Sequence, residues 1–232
     1  MVRWLLALAS AWCVATGAAK EWEFVDIQPK ANSKLNGGTN WWTGDPGGST
    51  FAKLPIGKEA EFEGPTGKVR FYIQEKGIVL NGTNAAKWPM EVKGIAVGGR
   101  AKTVYFLHAT GWEFAGAPSY AFVLHYDDRS TARLDMQSHV NSDDWCHDGT
   151  PLADKNSVWG WIEKSGAPCG HAGLITTKWE HPNAGKWIAT MDAVSLGTAA
   201  VPVIAAVTLG DATLPVEPRG ALATLWADVK RR

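Results

Sequence analysis

The stretch YAFVLHYDDRSTARLDM, Tyr120 to Met136, decides the fold class. Tyr120, Phe122, Leu124 and Tyr126 recur with a period of two, which places four large apolar side chains on one face of a strand. Asp127, Asp128 and Arg129 then supply turn chemistry, and Thr131 to Met136 alternates again. An antiparallel hairpin is predicted here.

The same grammar extends outward in both directions. Glu21 to Ile27, Lys68 to Ile73, Val92 to Val97 and Thr103 to Ala109 precede the hairpin. Val158 to Ile162, Leu174 to Trp179, Trp187 to Val194 and Val201 to Leu209 follow it. These make about ten short β-rich runs, separated by Gly, Pro, Asn and Asp. Helical spacing is confined to Ala221 to Val229, where Leu222, Leu225, Trp226 and Val229 share a face, read either as a short capping helix or as a fraying tail. The expected fold is all-β: a single antiparallel β-sandwich of jelly-roll type with a short C-terminal tail or helix.

The chain has 232 residues, with 23 basic and 23 acidic side chains. A neutral balance argues against a nucleic-acid binder, which needs a basic stripe to displace counterions. Residues 1–19 read as a secretory signal peptide: Arg3 gives the positive start, Trp4 to Ala15 is apolar but too short to span a bilayer, and small residues follow. The sandwich is assigned to 20–210 and the tail to 211–232. No later apolar run is long enough for a membrane span, so a secreted, extracellular or periplasmic location is expected. After loss of Cys13 with the signal, Cys146 and Cys169 remain, and an isolated pair in an oxidising compartment reads as one disulfide. Such a bridge contributes roughly 3 kcal/mol in the chain-entropy picture. A Cys2His2 zinc site using His147 and His171 is the competing reading, but neither half has the C-x2-4-C spacing.

Several segments together carry a resemblance: FVDIQPKAN from Phe24, YFLHATGW from Tyr105, LHYDD from Leu124, NSDDW from Asn141, WEHPNAGKWI from Trp179 and VPVIAAVTL from Val201. Over about residues 22–209 the chain resembles the galactose-binding-like β-sandwich modules of secreted bacterial proteins, many from planctomycete-type lineages. Such modules often accompany glycoside hydrolases. The resemblance implies a carbohydrate-binding-module-like sandwich. It departs from the pattern where YDDG becomes Tyr126-Asp127-Asp128-Arg129, and where Cys146 to Cys169 forms a local elaboration.

Modules of that kind frequently hold a structural calcium, and Asp127, Asp128, Asn141, Asp143 and Asp144 offer the hard oxygen ligands it takes. No other cofactor is expected. The same carboxylates, with Glu113, are read alternatively as an acid–base pair for glycoside hydrolysis. No G-x-S-x-G elbow, P-loop or dinucleotide fingerprint is present, and no catalytic residue is assigned. His108 and His125 lie in apolar strand runs and are read as hydrogen-bonded core or edge histidines.

Thirteen tryptophans against seven Phe and four Tyr is an unusual aromatic balance. A Trp face suits the C–H face of a pyranose, and its N–H orients a hydroxyl. Trp41 and Trp42, between Asn40 and the turn at Asp45, lie in a predicted loop, and Trp145 lies in an acidic turn. These three, with Asn40 and Asp45, are the expected sugar-binding residues. Trp159 and Trp161, expected on one strand face, are further stacking candidates, with Asp143 and Asp144 as further hydroxyl partners. For tryptophans in strands the core reading is favoured, and Trp22, Trp112, Trp159, Trp179 and Trp187 are read as filling the core. The reading is a secreted, non-catalytic module that binds polysaccharide or cell-surface glycan. Alternatives are a self-assembling envelope protein and a carbohydrate-active hydrolase or lyase.

Overall fold

The computed structural model describes residues 19–36, 51–164 and 170–213. Among these the regular elements are strands, apart from one 3-10 turn at Gln28–Lys30 that contains Pro29. In chain order they are β1 (Ala19–Phe24), β2 (Ser33–Lys34), β3 (Lys58–Phe62), β4 (Val69–Ile73) and β5 (Lys76–Val79). Then come β6 (Glu91–Gly99), β7 (Thr103–Gly111), β8 (Tyr120–Tyr126), β9 (Thr131–Met136) and β10 (Cys146–His147). The last four are β11 (Ser157–Lys164), β12 (His171–Trp179), β13 (Ile188–Ser195) and β14 (Val201–Thr213). All ten runs expected from the sequence are strands. The runs it missed, β2, β3, β5 and β10, are short, and β3 is mostly charged.

Two antiparallel sheets pack as a sandwich. One has four strands in the order β6-β13-β8-β9. The other has eight, with β10-β12-β7-β14-β5-β2 as its path, β1 also on β14 and β11 also on β12. The faces meet through Phe106 of β7 and Phe122 of β8, whose rings stack at 3.9 Å and 9°. Ile204, Val207 and Leu209 of β14 join Leu124, Met191 and Ile95 of the smaller sheet in the same core.

The larger sheet is buried on its other face as well. Tyr105, Leu107 and Ala109, alternating with Val104, Phe106 and His108 along β7, pack under Phe62 and Phe71 of the β3–β4 ribbon and under Phe51 and Leu54. This double burial accounts for the nearly unbroken apolar character of VPVIAAVTL in β14. A strand covered on both sides has no solvent face to alternate with.

His108 is fully buried between the sheets, where desolvation holds its pKa down at about 3, so the ring is neutral. Its Nε2 lies 2.8 Å from Thr177 Oγ1 and its Nδ1 2.5 Å from the Tyr120 hydroxyl. His125 bonds Asp192 on the smaller sheet at 2.8 Å. Both histidines are therefore the satisfied strand residues the sequence suggested. The signal segment, residues 1–18, and the helical spacing at Ala221 to Val229 lie outside the described residues. β14 continues to Thr213, which pairs with Ala19, past the sandwich boundary expected at 210.

The β8–β9 hairpin closes with Tyr126 N–H donating to Ser130 O at 2.9 Å and Arg129 N–H to Tyr126 O at 3.0 Å. Arg129 has φ of 70°, in the left-handed region where glycine is unstrained. The turn thus keeps a glycine conformation with arginine in it. Arg129→Gly is expected to raise stability by about 1 kcal/mol, read as a higher urea midpoint at unchanged slope. A lower midpoint would show that the arginine side chain contributes more than its backbone strain costs.

Candidate functional site

A cleft of about 610 Å³ opens where β7 ends. Its floor is built by the turn 137–145, and the sequence explains how that turn is held. The Gln137 carbonyl accepts the N–H groups of Val140, Asn141 and Ser142. The Asn141 side chain clamps the same turn, accepting from Gln137 N–H at 2.8 Å and donating to Asp135 O at 2.9 Å. Thr110, near the end of β7, donates both its N–H and its hydroxyl to Asp143 O, and its carbonyl accepts from Trp145 N–H. Acidic side chains at 143 and 144 are thereby fixed beside the strand end.

Glu113, His139 and Asp143 meet in the cleft. His139 Nε2 lies 3.0 Å from Glu113 Oε2 and Nδ1 lies 3.2 Å from Asp143 Oδ2. One ligand atom from each of the three lies within 4.8 Å of the others. A nitrogen and two carboxylates at this spacing are a donor set for a divalent transition ion rather than for calcium, which takes six to eight oxygens. Asp144 lies beside them, accepting the N–H of Cys146 at 2.9 Å and that of Trp112. Burial, with the charges of Asp143 and Glu113 adding to it, pushes its carboxyl up to about 6. Asp148 is held below the usual carboxylate range by the Thr150 hydroxyl and N–H.

Two indoles flank these acids. Trp112 follows the last residue of β7 with φ of 57° and is 37% exposed. His139 also has a left-handed backbone, φ 64°. Strain of this kind persists only where surrounding contacts enforce it, and it clusters at functional sites. On the other side, Trp159 stacks on His147 at 3.5 Å and 8°, and its Nε1–H donates to Thr150 O at 2.9 Å. Gly173 makes this stack possible: a Cβ there would lie 2.5 Å from His147 Nε2 and 2.8 Å from Trp159 Cε3. His147 Nδ1 accepts from Gly149 N–H at 2.9 Å. Burial, and then the charge of His171, holds the His147 pKa at about 4, so the stacked ring is neutral.

The structure rearranges the expected site residues. Trp145 is only 7% exposed and packs edge-to-face on Phe51 at 6.1 Å, so it fills the core and is corrected as a sugar platform. Trp112, expected in the core, is instead on the cleft. Trp159 and Trp161 do not share a face. A register shift lies between them, so Trp159 covers Gly173 while Trp161 packs on Phe51 at 5.5 Å. The calcium set of Asp127, Asp128, Asn141, Asp143 and Asp144 is also corrected. Asp127 and Asp128 lie at the far end of the seven-residue β8, about 20 Å from the turn that carries the other three. Asp128 is paired with Lys186 at 2.7 Å, and the Asn141 amide is used on both atoms. Asn40, Trp41, Trp42, Asp45 and Cys169 lie outside the described residues. Cys146 is half-buried in β10 at the edge of the cleft.

His139 was not singled out from the sequence. Its only signal is a spacing of four from Asp143, ordinary in any loop. Among the described residues no helix is long and apolar enough to cross a membrane. No protein-family model matches the chain, and no curated protein matches it.

The raised pKa of Asp144 has a defined effect on stability. The folded state holds its proton more tightly than the unfolded chain, so the contribution is complete below the ordinary carboxylate value of 3.8 and is lost as pH rises through about 6. Asp144→Asn keeps an acceptor for the two N–H groups and removes the buried charge. It is expected to stabilise the protein by about 1–3 kcal/mol at about pH 8 and to give no gain at about pH 4, measured by urea unfolding at both values. An equal effect at both would show that the charge is not the cause.

Proposed function

We propose that the chain is a secreted, glycan-binding β-sandwich module and that the Trp112–Trp159 cleft is its binding site. The observation that carries this is Trp112: a large aromatic side chain, over a third exposed, held in a strained backbone at the rim of a concave acidic site. Leaving such a ring in water has a hydrophobic cost, and stacking on a pyranose face removes it. Carboxylates at Glu113, Asp143 and Asp144 supply acceptors for sugar hydroxyls beside that face. The resemblance to galactose-binding-like modules supports the same reading. Export and a Cys146–Cys169 bridge belong to the proposal, and intact mass under reducing and non-reducing conditions tests both. The pair Trp41 and Trp42 is retained as a second stacking patch, with Asn40 and Asp45.

Affinity gel electrophoresis against a polysaccharide panel is expected to show retardation by at least one polymer. Trp112→Ala is expected to weaken it about tenfold, in line with the loss of one stacked aromatic. Running Trp42→Ala beside it separates the two patches. Retardation by no polymer would sink the reading, and an unchanged Trp112→Ala would move the site elsewhere.

A hydrolase reading is favoured by one observation. Asp144, protonated up to about pH 6, sits beside two further carboxyl groups, the environment split that makes one acid a proton donor and another a base or nucleophile. Release of reducing ends from a retarding polysaccharide, abolished in Asp144→Asn, is the expected outcome if this holds. Retardation without release leaves the module non-catalytic.

A further inference from the structure

The charge of the cleft goes beyond its shape. Four carboxylates line it, Glu113, Asp143, Asp144 and Asp148, and none of the described residues lining it is Lys or Arg. This is local, because the chain as a whole has equal numbers of basic and acidic side chains. Many of the acids elsewhere are paired with Lys or Arg: Glu59 and Glu61 with Arg70, Glu180 with Lys178, Asp128 with Lys186 and Asp211 with Lys102. Among the described residues, none of the four cleft carboxylates has a Lys or Arg partner; Glu113 and Asp143 share only the His139 ring. His147 is neutral, and even with Asp144 protonated and His139 counted as a cation, three carboxylates face a single positive charge.

We infer that this cleft selects glycans bearing free, protonated amino groups, chains that contain unacetylated hexosamine, over neutral and anionic ones. The inference rests on the glycan-binding reading above. An ammonium group carries three donors and a positive charge, so it can bond several convergent carboxylate oxygens at once. A hydroxyl at the same ring position donates one hydrogen bond and leaves the excess charge in place. A uronate or a sulfate would add like charge to a site with no Lys or Arg to receive it. The walls act in the same direction, because the face of an exposed indole attracts a cation as well as a sugar C–H face. The aromatic wall therefore accounts for ring stacking, and the acids account for which substituent is preferred.

Three tetrasaccharides with one backbone separate charge from shape: β-1,4-linked glucosamine, N-acetylglucosamine and glucose. Binding is measured by titration calorimetry on EDTA-treated protein in low-salt buffer at about pH 6. The glucosamine tetramer is expected to bind about tenfold or more tightly than cellotetraose, and the preference is expected to collapse in about 0.5 M NaCl. Glu113→Gln alters an exposed side chain, so it leaves folding intact, and it is expected to weaken binding of the glucosamine tetramer several-fold more than binding of cellotetraose; equal weakening of the two overturns the charge inference. If cellotetraose or the N-acetylated tetramer binds at least as tightly as the amine, the charge inference is overturned and the glycan-binding reading stands. A preference that appears only when divalent metal ions are restored overturns it too, in favour of an ion held by Glu113, His139 and Asp143. If no tetrasaccharide binds and no polysaccharide retards the protein, both readings fall together.

Discussion

The hydrogen bond from the Tyr120 hydroxyl to His108 ties together everything that positions the cleft. A neutral imidazole enclosed between two sheets needs both ring nitrogens satisfied, because an orphaned buried polar atom costs about 1–3 kcal/mol. Nδ1 accepts from Tyr120 of the smaller sheet, and Nε2–H donates to Thr177 of the larger. The two partners then reach into the site turn. Tyr120 Oη lies 3.0 Å from Ser142 Oγ, and Thr177 Oγ1 donates to Asn141 O at 3.1 Å. Ser157 Oγ joins at 2.9 Å from Thr177 Oγ1. Packing across the sandwich and placement of the 137–145 turn are thus one connected polar problem with one solution, and a shift of either sheet would break several of these bonds together.

Much of the scaffold was legible because period-two alternation is a direct consequence of the pleat. Tyr120, Phe122, Leu124 and Tyr126 announce β8 without any tertiary knowledge, and all four are buried. The cleft was less legible, since its residues come from connections. Trp112 is chemically the same whether it fills a core or rims a cleft. What exposes it is a left-handed turn immediately after Gly111, and no local residue preference signals that. Trp145 misled for the mirror reason: its neighbours in sequence are acidic, while its neighbours in space are Phe51 and the apolar face of the larger sheet. The bulge between Trp159 and Trp161 reverses the facing of one residue relative to the other. A single extra residue in a ladder does that, and it is set by Gly160 pressed against Thr176 on the neighbouring strand.

Rigidity and strain are distributed unevenly around the cleft. On one side, Trp159 is fixed by a stack, a hydrogen bond to Thr150 and the Asx turn of Asp148 beneath it. The opposite side relies on two left-handed residues, Trp112 and His139, held by hydrogen bonds from Phe114 N–H to the Ser138 hydroxyl and from Ala153 N–H to the His139 carbonyl. A wall fixed by side-chain contacts faces a rim fixed by enforced backbone geometry. That division suits recognition of a flat ring, which demands a defined gap between its two bounding surfaces.

The pairing of β1 with β14 has a consequence for how the chain reaches this state. Val201–Thr213 lies between β7 and β5 and also carries Ala19–Phe24, so the first described strand finds its partner only in the last one. Contacts of such sequence separation are slow to form, because the loop they close is nearly the whole domain. Until residues 201–213 are in place, β7 and β5 lack the strand that joins them, and β1 has no partner. The smaller sheet β6-β13-β8-β9 and the pairing of β7 with β12 need nothing beyond residue 195, whereas the larger sheet is completed only when this last described strand joins β7, β5 and β1.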